Sequence, residues 1–201
     1  MKNILPNIEF NFENSLNLSH LFDDKIKEVW LEVGFGDGEH LKWQLENNKH
    51  IAIIGCEPYI NGIANLLSLL NKEELKRVKI FNGDARKIIS FLKEDSISKI
   101  FILFPDPWPK KKHYKRRFIQ FDILNDLYRI LTNNGELRIS TDHYSYLSWV
   151  LFHFIKFKKF YWPALSKSDF LIKPENWNKT KYEIRAKRLG NICYYLQYFK
   201  Q

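Results

Sequence analysis

Short apolar runs alternate with longer amphipathic segments along this chain. Five of the runs are rich in β-branched or aromatic residues and several are apolar on both faces, which predicts strands buried inside a parallel sheet. These runs cover residues 28–33, 50–57, 78–81, 99–104 and 136–141. A last apolar run, residues 192–199, predicts one further strand.

Helical periodicity fills the intervals between these runs. The predicted helices cover residues 39–48, 60–70, 86–93, 118–131 and 144–157. Strands that alternate with helices predict a doubly wound, Rossmann-like α/β fold, a three-layer sandwich of helices, sheet and helices. The regularity fades after residue 159, and the sequence contains no internal repeat or linker, so we expect one domain.

A glycine turn follows the first predicted strand, in the stretch LEVGFGDGEH that begins at Leu31. Gly34, Gly36 and Gly38 allow a tight turn and close approach of a ligand to the backbone. The dinucleotide fingerprint G-x-G-x-x-G requires its third glycine at position 39, which is Glu39. The spacing therefore argues against a nucleotide-dependent oxidoreductase, which remains an alternative.

Carboxylates surround this turn and follow the next two strands. Glu32 lies two residues before the first glycine, where it suits a ligand with a cationic end better than a pyrophosphate. S-adenosylmethionine is such a ligand, because it has a sulfonium group and no phosphate. Glu57 is placed to accept hydrogen bonds from ribose hydroxyls, and Asp84 to meet the adenine. Taken singly, Asp37 and Asp84 are more typical of turn or N-cap residues.

The stretch LFPDPWPKKKHYKRR, residues 103–117, ends the fourth predicted strand and opens a cluster of cations. Pro105, Pro107 and Pro109 restrict the turn that carries Asp106, a carboxylate suited to stabilise positive charge that develops on a base. Trp108 is equally suited to stack on a base or to pack beneath the turn. The six cations that follow are Lys110, Lys111, Lys112, Lys115, Arg116 and Arg117.

The composition supports a nucleic-acid partner for these cations. The 201 residues carry a formal net charge of +9 with 45% hydrophobic positions, which is typical of a globular protein that binds nucleic acid or an anionic membrane surface. A solvated loop that only aids solubility is the alternative. The two cysteines and the histidines show no metal-ligand spacing, so we expect no metal and a reducing compartment. Without a secretory signal or a transmembrane run, we expect a soluble cytoplasmic protein.

Four segments together resemble the bacterial tRNA (guanine-N7)-methyltransferases. They are EVGFGDG, FPDPWPKKKHYKRR, STDHYSY and TKYEIRAKRLG, and the similarity runs from about Val29 to the C-terminus. The resemblance implies a class I methyltransferase domain over residues 29–201, after an N-terminal lead, residues 1–28, of unknown role. It also implies a seven-stranded sheet with an antiparallel last strand. The implied reaction transfers a methyl group from S-adenosylmethionine to N7 of a guanine in the tRNA variable loop, position 46.

The resemblance also implies a role for each matching residue. It makes Asp106 the catalytic residue and a neighbour of the cofactor. The other implied cofactor-binding residues are Glu32, Gly34, Gly36, Gly38, Glu57 and Asp84. The implied substrate-binding residues are Lys110, Asp142, Thr180, Lys181, Tyr182 and Glu183. The implied RNA-binding residues are Lys112, His113, Tyr114, Lys115, Arg116 and Arg117.

Several alternatives stay open at this point. The turn at Asp106, Pro107 and Trp108 partly resembles the Asp-Pro-Pro-aromatic turns that methylate amino groups of nucleic acid or protein. A non-catalytic RNA-binding module of the same shape is a third class. By itself, the segment from Thr180 to Glu183 predicts a helix cap rather than a substrate contact. Both a monomer and a homodimer are compatible with the sequence.

Overall fold

A seven-stranded sheet lies at the centre of the computed structural model, which describes residues 5–10, 12, 18, 21–174 and 176–201. Its strands are β1 (Glu28–Val33), β2 (Ile51–Cys56), β3 (Val78–Phe81), β4 (Ile97–Leu103), β5 (Leu131–Thr141), β6 (Phe160–Tyr161) and β7 (Tyr194–Lys200). Their order across the sheet is β3-β2-β1-β4-β5-β7-β6. The pairs from β3 to β5 are parallel, and β7 is antiparallel to both of its neighbours.

Helices cover both faces of this sheet. They are α1 (Leu5–Ile8), α2 (Glu39–Asn47), α3 (Ile60–Leu69), α4 (Lys72–Leu75), α5 (Ala85–Phe91), α6 (Phe121–Ile130), α7 (Tyr144–Phe157) and α8 (Lys181–Arg188). Two short 3₁₀ helices, Lys111–Arg116 and Lys167–Phe170, lie in the connections. None of the helices among these described residues is long and apolar enough to cross a membrane.

Two apolar layers form because the central strands are buried on both sides. On one face α2 and α3 contribute Leu41, Leu45 and Leu66, and on the other α5, α6 and α7 bury side chains such as Leu124 and Val150. Every residue of β2 is buried. The predicted three-layer α/β sandwich is therefore confirmed, and so are the mostly parallel sheet and the antiparallel last strand.

The strand order reverses between β1 and β4, which are neighbours in the sheet but distant in sequence. The connection that leaves β1 passes to one face and the connection that leaves β4 passes to the other. A crevice therefore opens beyond the carboxyl ends of these strands, which is where open α/β sheets bind ligands.

The N-terminal residues lie against the outer edge of β3. Glu9 forms a parallel bridge with Ile80, and the Phe10 amide donates a hydrogen bond of 2.8 Å to the Ile80 carbonyl. The Phe12 ring makes edge contacts with Phe81 and Phe91, at centroid distances of 5.3 and 5.0 Å. The described part of the N-terminal lead therefore extends the core, a role that the sequence analysis did not assign.

Several predicted boundaries differ from the structure by one or two residues, and two differ by more. The strand β5 begins at Leu131, five residues before its predicted start, and the helix α6 begins late. The pattern placed the start of the helix after the basic run at residue 118, but α6 begins at Phe121. Arg117 and Ile119 are both buried before the helix begins, so this segment is an interior connection rather than a first helical turn. The short strand β6 was not predicted, because two residues carry no periodic signal.

Candidate active site

A cleft of about 670 Å³ opens at the carboxyl ends of β1, β2, β3 and β4. Its volume lies within the usual range for pockets that bind small molecules. The predicted site residues that line this cleft are Gly34, Gly36, Glu57, Asp84, Asp106, Arg116 and Tyr182. The structure therefore brings the glycine turn, three of the four carboxylates and one of the cations to a single cavity.

The glycine turn requires left-handed backbone at each of its three glycines, with φ of 70°, 57° and 82°. A Cβ added at Gly34 would meet nothing within 4 Å, so the space above this residue is open to a ligand. A Cβ added at Gly38 would lie 2.6 Å from Leu66, because α2 and α3 approach closely there. Gly34 thus makes room for a ligand, whereas Gly38 makes room for helix packing and does not line the cleft.

Glu57 holds the glycine turn against the end of β2. One of its carboxylate oxygens accepts the Gly36 amide at 2.8 Å and the other accepts the Tyr59 amide at 3.0 Å. Each oxygen of a carboxylate has a second lone pair, so the group retains acceptor capacity toward the cleft. This position combines a structural role with the acceptor role that the sequence predicts.

Asp84 is the N-cap of α5, as the simpler interpretation predicted. It accepts the Arg86 amide at 3.0 Å, and its second oxygen pairs with the Arg86 guanidinium at 2.9 Å. Asp37 is not a cap, because Gly38 occupies that position for α2. Its carboxylate pairs instead with Lys181, and this hydrogen bond raises the pKa of the Lys181 ammonium.

Glu32 does not reach the main cleft. It is 3% exposed and lines a smaller cavity of about 20 Å³ behind the glycine turn, where the His40 ring lies 3.0 Å from its carboxylate. Thr180 and Lys181 also line this small cavity, and Tyr182 lines both cavities. The C-terminal segment and the glycine turn therefore meet in three dimensions, although they are far apart in sequence.

The turn after β4 has a strained backbone, and its carboxylate, Asp106, is unpaired among the described residues. Phe104 and Trp108 adopt φ of 51° and 40°, a left-handed conformation that is rare for bulky residues and costs about 1–3 kcal/mol at each position. Asp106 lies between them, is exposed, and has no hydrogen bond or ion pair with any residue that the structure describes. Backbone strain of this kind is common where a side chain must be presented to a ligand.

The cations behind this turn lie on the 3₁₀ helix Lys111–Arg116 and its N-cap, Lys110. Five of them are exposed and make no ion pair within the described part of the chain, and these are Lys110, Lys111, Lys112, Lys115 and Arg116. The centre of the Trp108 ring lies 4.9 Å from the Arg116 guanidinium and 5.6 Å from the centre of the His113 ring. Trp108 is half-buried and lines the cleft, so it both packs and faces the ligand space.

Arg117 is a correction to the predicted RNA-binding set. It is only 1% exposed, and its guanidinium donates hydrogen bonds to protein carbonyls. Its Cζ lies 3.8 Å from the centre of the Tyr114 ring, which is itself half-buried. A side chain that is enclosed by protein cannot contact a phosphate, so Arg117 has a structural role and is removed from the set.

Three predicted substrate-binding residues lie outside both cavities: Lys110, Asp142 and Glu183. Asp142 accepts a hydrogen bond of 2.8 Å from the Asn191 side chain. Glu183 is buried and pairs with Lys187 at 2.7 Å, and its amide donates to the Thr180 hydroxyl at 3.1 Å. The predicted cap at Thr180 is therefore present and begins α8.

Other lining residues were not identified from the sequence. Tyr59, Arg86 and Phe118 line the cleft, and the Arg86 guanidinium lies 5.5 Å from the centre of the Phe118 ring. Tyr59 and Arg86 each come two residues after a carboxylate that was predicted to bind the cofactor. This closeness in sequence is the feature that could have indicated them. The described residues include no cluster of three or more His, Cys, Asp or Glu side chains arranged to hold a metal ion.

The strand order, the open glycine turn and the acidic cleft define a class I S-adenosylmethionine-dependent methyltransferase. In agreement, the chain is similar to a crystal structure of an S-adenosylmethionine-dependent methyltransferase from Mesorhizobium loti. The TM-score is 0.57 at 13% identity, with 91% of this chain and 95% of that chain covered. A family model described as "Putative methyltransferase" matches residues 27–196.

The sequence relatives identify the family. The chain is 38% identical to the tRNA (guanine-N(7)-)-methyltransferase of Bartonella henselae, with 100% of this chain and 88% of that protein covered. It is 36% identical to the protein of the same name from Agrobacterium fabrum, with the same coverage. The chain belongs to the tRNA (guanine-N7-)-methyltransferase family. This membership makes it a methyltransferase and excludes the nucleotide-dependent oxidoreductase and the non-catalytic module.

Proposed function

We propose that this chain methylates N7 of a guanine in the variable loop of tRNA, the guanine at position 46. One observation carries the proposal beyond family membership. Asp106, a carboxylate without a partner among the described residues, lines the cleft directly before a row of exposed, unpaired cations. A base that enters the cleft would contact the carboxylate, while the phosphates of the adjoining RNA backbone would contact the cations.

The residues of the cleft fit S-adenosylmethionine. The open space above Gly34 leaves room for the ligand, and Glu57, Asp84 and Asp106 give the cavity an acidic lining that suits a cationic molecule without phosphate. We assign Glu57 to the ribose hydroxyls and Asp84 to the adenine, with Glu32 nearest the amino-acid end. When bound, S-adenosylmethionine supplies an activated methyl group on a positively charged sulfur.

Asp106 has an electrostatic role in this proposal. Guanine N7 is a lone-pair acceptor on the base edge, so it requires no strong base to remove a proton before it reacts. Positive charge develops on the purine ring as N7 is alkylated, and a fixed carboxylate next to the ring stabilises that charge. The same carboxylate accepts hydrogen bonds from the donor edge of guanine and so orients the base.

The remaining assignments concern the substrate. We assign contacts with the base and ribose to Lys110, Asp142, Thr180, Lys181 and Tyr182. Glu183, which is buried and paired with Lys187, keeps a structural role instead. We assign phosphate and backbone contacts to Lys112, His113, Tyr114, Lys115 and Arg116. A-form RNA hides N7 in a deep, narrow major groove, so a base in a loop is the accessible target. The cytoplasm is the expected compartment for such a substrate, and residues 29–201 act as one methyltransferase domain.

The proposal is tested by mapping the methylated atom. Bulk tRNA lacking the modification is incubated with the enzyme and S-adenosylmethionine, then cleaved chemically at 7-methylguanine. We expect one new cleavage in the variable loop, and at least tenfold less of it after the same short reaction time with the Asp106→Asn variant. Methyl incorporation without cleavage would instead support the alternative, transfer to an exocyclic amino group.

A further inference from the structure

Arg117 joins the strained turn to the start of α7. Its Nε donates to the Pro107 carbonyl at 2.9 Å, and one terminal nitrogen lies 3.4 Å from the Trp108 carbonyl. On the other side the guanidinium donates to the Ser145 carbonyl at 3.1 Å and to the Ser145 hydroxyl at 2.9 Å. Pro107 and Trp108 are the two residues that follow Asp106, so these bonds act on the backbone next to the carboxylate.

The surroundings of Arg117 are mainly aromatic. Three aromatic rings, those of Tyr114, Trp149 and Tyr146, lie 3.8, 5.1 and 5.7 Å from its Cζ. Within the described residues it makes no ion pair with a carboxylate. A buried cation is costly unless hydrogen bonds satisfy it, and here the turn and α7 supply the acceptors.

The bonds also explain how the turn keeps its strained backbone. Trp108, at φ 40°, adopts a conformation that persists only where the surroundings impose it. The planar guanidinium has donors fixed in a fork, so it can bridge two backbone segments at a set distance and angle. Lysine carries the same charge on one rotating ammonium and cannot reproduce that bridge.

We propose that Arg117 is a positioning residue for the methyl-transfer reaction, which fixes the turn that presents Asp106 and binds no RNA. This proposal rests on the function assigned above, in which Asp106 faces the base. The bridge also links the turn after β4 to α7, the helix that follows β5 and Asp142. It therefore fixes the relative position of the two segments that leave the neighbouring strands β4 and β5.

The test compares Arg117→Lys with a matched control, Arg77→Lys. Arg77 is also at least half-buried, and among the described residues its guanidinium donates to the carbonyls of Asn48, Ile51 and Leu45. It lies before β3, at the amino ends of the strands and away from the cleft. For each variant we measure thermal unfolding, affinity for S-adenosylmethionine and for tRNA over a range of salt, and single-turnover methylation with saturating tRNA. Hydrogen exchange is measured in parallel over residues 104–117, which include the hydrogen-bonded amides of Phe104, His113 and Arg117.

We expect Arg117→Lys to lower the single-turnover rate by at least about tenfold, because a small displacement of a catalytic group is costly. Its tRNA affinity and the salt dependence of that affinity should match the wild type. The hydrogen-bonded amides within residues 104–117 should exchange faster. Arg77→Lys should lower the unfolding temperature while the rate per folded molecule stays unchanged.

Two results would overturn the proposal. If Arg117→Lys weakens tRNA binding, lowers its salt dependence and regains the full rate at saturating tRNA, the residue is a phosphate ligand. If both variants lose activity only in proportion to the unfolded fraction, Arg117 merely stabilises the fold.

Two further arms keep the test decisive. If Arg117→Lys does not fold, Ser145→Ala removes one of the four hydrogen bonds, and we expect about a threefold lower rate with faster local exchange. Unchanged values for Ser145→Ala would then overturn the proposal. If the wild type does not methylate tRNA at N7, the proposed function fails, whereas the hydrogen exchange still decides whether Arg117 fixes the turn.

Discussion

Asp106 differs from the other carboxylates of the cleft in having no partner among the residues that the structure describes. Glu57 accepts hydrogen bonds from two backbone amides, and Asp84 caps α5 and pairs with Arg86, so both contribute to the fold. Asp106 makes no hydrogen bond or ion pair among the described residues, so its removal should affect chemistry more than stability.

The first prediction therefore concerns Asp106→Asn. The substitution keeps the shape of the side chain but removes the charge that stabilises the alkylated purine. We expect turnover to fall at least tenfold, about 1.4 kcal/mol of barrier, while the unfolding temperature stays unchanged. Single-turnover methylation and thermal unfolding measure the two quantities. Full activity in a folded Asp106→Asn protein would show that this residue only ends the strand.

A second prediction at this scale concerns the glycine that packs rather than binds. In Gly38→Ala the new methyl group overlaps Leu66 and the backbone keeps φ 82°, so we expect a loss of about 2 kcal/mol or more. The matched control is Gly190→Ala, which has φ 79° with nothing within 4 Å of the new Cβ and should lose only about 1 kcal/mol. Urea unfolding measures the free energy of unfolding of both variants. Equal losses would show that α2 and α3 move apart at little cost to accept the new methyl group.

At the scale of the element, the 3₁₀ helix after the strained turn is a compact source of positive charge. Its lysines and Arg116 are exposed, unpaired within the described chain, and adjacent to a residue of the cleft. Because they act through long-range attraction, they should govern how tRNA binds rather than how the methyl group moves.

This separation gives a third prediction. Replacing Lys111, Lys112 and Lys115 by alanine should weaken tRNA binding and lower the slope of log affinity against log salt by about two to three. Turnover at saturating tRNA should change little. The control variant removes three exposed lysines that precede β2, β3 and β4, at the amino ends of the strands and away from the cleft. They are Lys49, Lys72 and Lys93. Equal effects of the two variants would mean that only net charge matters.

The elements also show where sequence reasoning succeeds and where it stops. The bounds of β1, β3 and α7 were predicted correctly, because apolar periodicity and the flanking breaks coincide there. The positions of Gly34, Glu57, Asp84 and Asp106 at the cleft followed from their places after strands. The burial of Arg117 could not be predicted, because its acceptors on Ser145 come from a helix that reaches it only in the folded chain.

Across the whole molecule, a buried ionic cluster connects the sheet to the segment before α8. Glu136 of β5 pairs with Arg138 at 2.5 Å and with Lys99 of β4 at 2.9 Å. The Arg138 guanidinium also donates to the Asn176 carbonyl at 3.0 Å and lies 5.2 Å from the centre of the Trp177 ring. The cluster thus fixes the chain that leads to the predicted substrate residues of α8.

The fourth prediction is an acid dependence of stability. Burial acts to raise the pKa of Glu136, but the hydrogen bond and charge of Arg138, together with Lys99, hold it below the ordinary value of 4.5. The unfolded chain therefore takes up this proton first as the pH falls. The stabilisation by Glu136 is complete above pH 4.5 and is lost as the pH falls through the folded-state pKa.

Glu136→Gln should remove this dependence. At neutral pH the variant should lose roughly 3 kcal/mol, because two cations remain without their carboxylate. Below pH 4.5 its stability should fall less steeply than that of the wild type. Glu73→Gln is the control, since its pair with Lys76 is well exposed and its loss should have little effect. Urea unfolding at several pH values checks both, and parallel curves would exclude Glu136 as the titrating group.

The two outer strands of the sheet have a consequence for behaviour at high concentration. An open strand edge is a template on which another polypeptide can add its own backbone, and long flat edges promote fibrils. Here the Glu9 bridge occupies part of one edge, at β3, and the strand at the other edge, β6, has only two residues. These contacts interrupt both outer edges of the sheet, which should disfavour strand addition and fibrillar precipitation of the folded enzyme.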